Sequence, residues 1–202
     1  AIFWRSMLNV LIALAGLLVQ IVITLGIAWL LCCNVRGQLL FRVLFFIPSM
    51  CSSVAVTMVW KWVYNTDFGI LNDLLRVFGL GKVAWLTDTS VVMISMVIQG
   101  IWMGIGGGMV MYIAALKNAP SQYYEAAAID GANGWQKFIH ITVPIISPTT
   151  FYILITSLIS TMQDFTRYRL MTDGGPNNAS MTPVLYIYQI AFSSSYDYEY
   201  SY

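Results

Sequence analysis

The residues best placed to act on another molecule lie between Lys117 and Pro144. Glu125 and Asp130 are carboxylates set among Ala126, Ala127, Ala128 and Ala132. A carboxylate can pair with an arginine or accept hydrogen bonds, and alanines let a second backbone come close. On a helix, Tyr123, Ala126, Ala127 and Asp130 share one face by i, i+3, i+4, i+7 spacing. This pattern suits a knob that enters a cleft on a soluble partner. The other reading is an interfacial helix resting on lipid headgroups. Such helices usually carry a basic face, and Ser121 to Gln136 contains no Lys or Arg, which favours a protein partner.

A second set of polar residues sits within or beside apolar runs: Gln99, Gln163 and Asp164. Polar groups at membrane depth suggest a route for solute, with Trp102 and Tyr152 as surfaces on which a ring could stack. Asp164 could equally be an interfacial charge that ends a span, and Asn9 and Gln20 are weaker candidates. Nothing points to catalysis. His140 is the one histidine, with no nucleophile or carboxylate arranged around it. Cys32, Cys33 and Cys51 lie in or beside apolar runs without metal-binding spacing, and read as packing residues. Gly100, Gly104 and Gly108 form a small-residue stripe that permits close helix packing. There is no Gly-x-x-x-x-Gly-Lys-Ser/Thr sequence to cradle ATP phosphates.

The elements that carry these residues are set by composition. Of 202 residues, 58% are hydrophobic and 9% charged, where soluble domains carry roughly 25% charge. So little charge cannot cover a water-facing surface, and a net charge of +1 gives no case for nucleic acid. Long uncharged runs predict four membrane spans, at about 7–33, 43–63, 90–115 and 144–163, with Lys61 able to snorkel from the second. The fold class is therefore an all-α membrane protein, a polytopic helical bundle, with residues 1–202 forming one transmembrane domain. The intervening loops are about 65–89, 117–143 and 164–202. The uncharged stretch 177–196 is too polar to span; its apolar part, Val184 to Phe192, reads as an interfacial or loop helix. If Arg36, Arg42, Lys117 and Lys137 face the cytoplasm, the inside holds four Lys/Arg against two carboxylates, and the outside six against seven. The chain opens Ala1-Ile2-Phe3-Trp4-Arg5 without an initiator Met and closes Tyr200-Ser201-Tyr202, so both ends read as cuts within a longer protein.

Local signals punctuate the long third loop. Pro120 suits a first helical position and Gly131 the residue just past a helix end. Asn133 can cap a second short helix, Gly134 to His140, after which Pro144 opens the fourth span. Elsewhere, Leu71 to Phe78 reads as a short helix ended by Gly79. Pro48 and Pro148 read as kinks or helix starts, and Gly174-Gly175-Pro176 as a turn.

Glu125-Ala126-Ala127, Asp130-Gly131-Ala132, Ile141 and Pro144 together resemble the EAA loop of ABC-importer permeases. The form Tyr-Glu-Ala-Ala-x-Ile-Asp-Gly-Ala, followed by Phe138, is similar to the carbohydrate-uptake branch. Phe41-Arg42-x-x-Phe45-Phe46-x-Pro48, Trp60-Lys61-Trp62-x-Tyr64-Asn65, Phe68-Gly69-x-Leu71-Asn72, Gly174-Gly175-Pro176 and Leu185-Tyr186-Ile187-Tyr188 resemble the same branch. The resemblance implies a type I importer permease fold in a bacterial cytoplasmic membrane, with four of six expected spans visible. It implies a second homologous permease subunit and an extracytoplasmic solute-binding protein. It also implies cytoplasmic ABC ATPase subunits, which carry the ATP and Mg, this chain binding no cofactor itself. Tyr124, Glu125, Ala126, Ala127, Asp130, Gly131 and Ala132 would then form the docking loop, placing 117–143 in the cytoplasm and 65–89 and 164–202 outside. Glu125 and Asp130 would hold polar contacts with the ATPase, and Gln99, Trp102, Tyr152, Gln163 and Asp164 would line the sugar path. A rival is a secondary transporter or channel for a small polar solute, which would need no soluble partner. An intramembrane enzyme would need paired carboxylates or a metal cluster, and an inert anchor would not need a structured loop.

Overall fold

The computed structural model describes residues 2–32 and 36–192. Among them the regular structure is helical throughout. The order is α1 (Ile2–Leu30), α2 (Gln38–Met50), α3 (Ser53–Val63), α4 (Ile70–Val77), α5 (Val92–Lys117), α6 (Ser121–Ile129) and α7 (Gly134–Lys137). A π-helical stretch (Phe138–Thr142) follows, then α8 (Val143–Met162), α9 (Thr166–Met171) and α10 (Pro183–Phe192).

Three helical runs are long and apolar enough to cross a membrane: Ile2–Leu30, Val92–Lys117 and Gly134–Met162. They cover the first, third and fourth expected spans with shifts at their ends. Cys33, within the first expected span, lies outside the described residues, as do the three serines that follow α10. The second expected span, 43–63, is not one straight helix. It is broken between α2 and α3. Pro48 within α2 lacks a backbone donor, and Ser52 turns to φ −57°, ψ 129° before α3 begins. The sequence lacks charge there, so hydropathy alone runs across the break. The apolar segment near the end forms α10, ten residues long, as the loop-helix reading expects.

α1 shows why these helices suit lipid. Its buried positions include Ser6, Asn9 and Thr24, while Leu8, Leu11, Leu18 and Val22 are exposed. A helix in water would place these groups the other way round.

The described residues cluster as two compact units. The first comprises 1–17, 51–100 and 159–202. Its core holds Tyr64, Met96, Tyr168, Met171, Met181 and Leu185. Tyr64 donates to the Ser95 carbonyl at 2.7 Å between the rings of Trp60 and Trp85. Asn72, on α4, fastens the loop that follows it. Its Nδ2 donates to the carbonyls of Thr66 and Val83, and its Oδ1 accepts from Val83 N and Trp85 Nε1. In the same unit Asn9 Nδ2 donates to the carbonyls of Asn178 and Met181, and Lys61 Nζ to that of Leu170.

The second unit comprises 18–50 and 101–158. Its core includes Ala28, Met109, Tyr112, Ile146 and Ile153. α1 and α5 pack closely here: a Cβ at Gly104 would collide with the Gln20 amide, and one at Gly108 would meet Thr24 Cγ2. Two members of the small-residue stripe thus serve helix packing. Arg42 Nη2 donates to the Leu31 carbonyl at 3.0 Å.

Candidate functional site

The acidic, alanine-rich segment forms a helical elbow within the second unit. α6 starts after Pro120, whose φ −62°, ψ 126° is extended. Pro120 therefore stands at the N-cap rather than at the first helical position. Its fixed φ satisfies either place, and its ψ decides between them. The other end of α6 is closed by Gly131 at φ 78°. Gly131 N–H donates to the Ala128 carbonyl at 3.2 Å and Ala132 N–H to that of Ala127 at 2.9 Å, the paired bonds of a Schellman turn. A side chain at that φ would strain the backbone.

The next helix begins at once. Asn133 Oδ1 accepts from Gln136 N at 2.9 Å, and Gln136 Oε1 accepts from Asn133 N at 2.8 Å, a complete capping box. The separate helix expected over Gly134–His140 and the span expected to open at Pro144 are in fact one run, Gly134–Met162. Its turns widen to π geometry over Phe138–Thr142, one residue short of Pro144. In regular α geometry the proline ring would crowd the carbonyl four residues back, and the wider turn relieves that crowding. Hydropathy and turn signals cannot register a π turn, which leaves composition unchanged.

The residues that the resemblance assigns to docking divide between two faces of α6. Glu125, Ala126, Ala128 and Asp130 are exposed, and Ile129 is 87% exposed. Tyr124 and Ala127 are partly buried. Tyr124 Oη lies 3.0 Å from Thr142 Oγ1, so it reaches the base of α8 and not outward. Tyr123, Ala126, Ala127 and Asp130, the face sequence spacing singles out, line one wall of a cavity of about 520 Å³ whose other wall is His140, Ile141, Pro144 and Ile145. His140 Nδ1 lies 3.1 Å from the Gln136 carbonyl. Trp135 stacks on Phe138, beside Trp29 of α1.

The candidate path residues fall in both units. In the first, Gln99 is fully buried, with Nε2 3.4 Å from Thr57 Oγ1. Gln163 is exposed and follows the last residue of α8. Asp164 pairs with Arg167 at 2.7 Å, an ion pair that sequence reading missed although its i, i+3 spacing is a signal. Arg167 Nη1 donates to the Met96 carbonyl at 3.1 Å, and a Cβ on Gly100 would strike that guanidinium. Gly100 therefore makes room for a charge, where the stripe reading expects helix against helix. In the second unit, Trp102 and Tyr152 are exposed at 40% and 55%.

The Gly174-Gly175-Pro176 turn contains a cis Gly175–Pro176 bond, with Asp173, Gly174, Asn177 and Asn178 at positive φ. Ser180 Oγ donates to the Gly175 carbonyl at 2.7 Å, Arg5 Nη1 donates to that of Asn177, and Arg169 pairs with Asp173. Burial pushes the Tyr64 and Tyr168 phenols up, against the pull of the Arg167 cation, so both remain protonated at neutral pH. Ser90 donates to Asp88 through its hydroxyl and its N–H, which holds that carboxyl below the usual range. Among the described residues no cluster of His, Cys, Asp or Glu could hold a metal.

The sequence and the fold also match known proteins. The chain is 34% identical over 196 residues to the probable ABC transporter permease protein YesP of Bacillus subtilis, covering 95% of this chain and 63% of that protein. It is 34% identical over 199 residues to the lactose transport system permease protein LacF of Rhizobium radiobacter, covering 95% and 66%. The chain thus spans just under two thirds of the length of these two relatives. Its fold matches a chain in the crystal structure of a bacterial ABC transporter involved in import of the acidic polysaccharide alginate, with a TM-score of 0.81 at 24% identity over 97% of this chain and 70% of that one. Residues 20–199 match the family described as binding-protein-dependent transport system inner membrane component, and the chain belongs to that family.

Proposed function

We propose that this chain is the core of a transmembrane subunit of an ATP-driven importer, which moves a carbohydrate delivered by an extracytoplasmic binding protein across a bacterial cytoplasmic membrane. ATP and Mg would be bound by separate ATPase subunits, and a second homologous permease would complete the path. The observation that carries the reading is the elbow. α6 is fixed at Gly131 and Asn133, presents Glu125, Ala128 and Ile129 outward, and leads without interruption into a spanning helix. Such a part can receive movement from a soluble motor and pass it to the bundle. The names of LacF and of the starch degradation products transport system permease protein AmyD of Thermoanaerobacterium thermosulfurigenes support a carbohydrate as substrate. Exposed Trp102 and Tyr152 suit stacking on sugar rings.

The test is uptake by proteoliposomes holding the full-length protein, its companion permease and the ATPase, with labelled oligosaccharides and the binding protein outside. Uptake should require both internal ATP and the binding protein. Uptake that continues without ATP under an imposed ion gradient would refute the reading.

A further inference from the structure

The elbow contains a hydrogen bond between its two arms that capping and turn chemistry do not require. Tyr124, in the middle of α6, reaches Thr142 at the last position of the π turn, with Oη 3.0 Å from Oγ1. Thr142 is 4% exposed. Its hydroxyl also lies 3.5 Å from the Lys137 carbonyl, the acceptor five residues back that π geometry presents. A carbonyl can only accept. Both contacts are satisfied when Thr142 donates to Lys137 and Tyr124 donates to Thr142. The hydroxyl of α6 is thereby tied to the stretch where the spanning helix departs from α geometry.

The position of this bond is informative. The Schellman turn at Gly131 and the capping box at Asn133 fix the corner of the elbow, but a corner alone leaves its two arms free to splay. α6 faces His140, Ile141, Pro144 and Ile145 across an open cavity, and side chains across an unfilled space resist splaying poorly. The Tyr124–Thr142 bond is the polar tie that closes the triangle away from the corner.

We infer that the Tyr124–Thr142 hydrogen bond is the brace that makes α6 and the base of α8 move as one body, and that it sets how much of each ATP-driven displacement of α6 reaches the membrane span. Tyr124 is on this account a positioning residue whose hydroxyl faces its own chain, not a contact to the motor. The inference rests on the importer reading above.

The experiment compares sugar imported per ATP hydrolysed in proteoliposomes of the full transporter. The unmodified assembly is measured first. Failure of ATP to drive its uptake would sink the importer reading without any variant being made. Tyr124→Phe removes one oxygen and keeps the ring. It should leave the ATPase bound in the purified complex and hydrolysing ATP, and lower sugar per ATP by about 5-fold, the ratio that ~1 kcal/mol for one hydrogen bond corresponds to. Thr142→Val should do the same and Thr142→Ser should retain coupling, while the double variant should be no worse than either single one. Wild-type stoichiometry in Tyr124→Phe would overturn the inference. So would loss of the ATPase from that complex, because the hydroxyl would then belong to the docking surface. An equal loss in Thr142→Ser and Thr142→Val would also overturn it, since the methyl group and not the hydroxyl would then be responsible.

Discussion

Gly100 and Arg167 show how one missing Cβ can place a charge. Arg167 is held by Asp164 on one side and by the Met96 carbonyl on another, and its Nη1 occupies the space a Gly100 side chain would need. Gly100→Ala should therefore displace the guanidinium and cost roughly 1–3 kcal/mol, the penalty for leaving buried polar groups unmatched. In an Arg167→Ala background the same substitution should cost much less, because nothing remains to be displaced. Thermal unfolding in detergent gives the cycle, and a coupling under about 0.5 kcal/mol would show that Arg167 has another resting place. Sequence could show Gly100 as small and Asp164 as charged. It could not show that they share a partner, because 67 positions separate Gly100 from Arg167.

The elements were legible where their signals are local. Gly131 and Asn133 mark the elbow because φ > 0 and an N-terminal cap demand particular residue types, and α4 before Gly79 is read in the same way. Two features escaped. The break between α2 and α3 falls inside an uncharged run, and the π turn at Phe138–Thr142 changes hydrogen-bond register without changing composition. The elbow's dependence on its cap can be measured. Asn133→Ala removes the acceptor for Gln136 N and should destabilise the protein by ~1 kcal/mol, read as a lower melting temperature, while Asn133→Ser should recover most of the loss. If Asn133→Ala melts like the wild type, the long helix Gly134–Met162 holds the corner without its box.

At the scale of the whole molecule, burial and charge together make a claim about sidedness. The elbow carries Glu125 and Asp130 on an exposed surface, while in the same unit Arg36 precedes α2 and Arg42 lies within it. The first unit contains the loop fastened by Asn72 and the turn fastened by Ser180. An importer of the proposed kind needs the elbow in the cytoplasm and those loops outside, since the motor and the binding protein work on opposite faces. Composition fixed the fold class through scarcity of charge, but it left the direction of insertion nearly balanced, because the side expected outside holds six Lys/Arg against four on the side expected inside. Single cysteines settle the matter once Cys32, Cys33 and Cys51 are replaced. Ala128→Cys, exposed on α6, should react with a membrane-impermeant maleimide only after the membrane is opened, and the ATPase should shield it when bound. Leu80→Cys, 58% exposed in its parent residue, should react in intact cells. Labelling of Ala128→Cys from outside would invert the topology and remove the elbow from reach of any ATP-driven motor, and the transport proposal would fail with it.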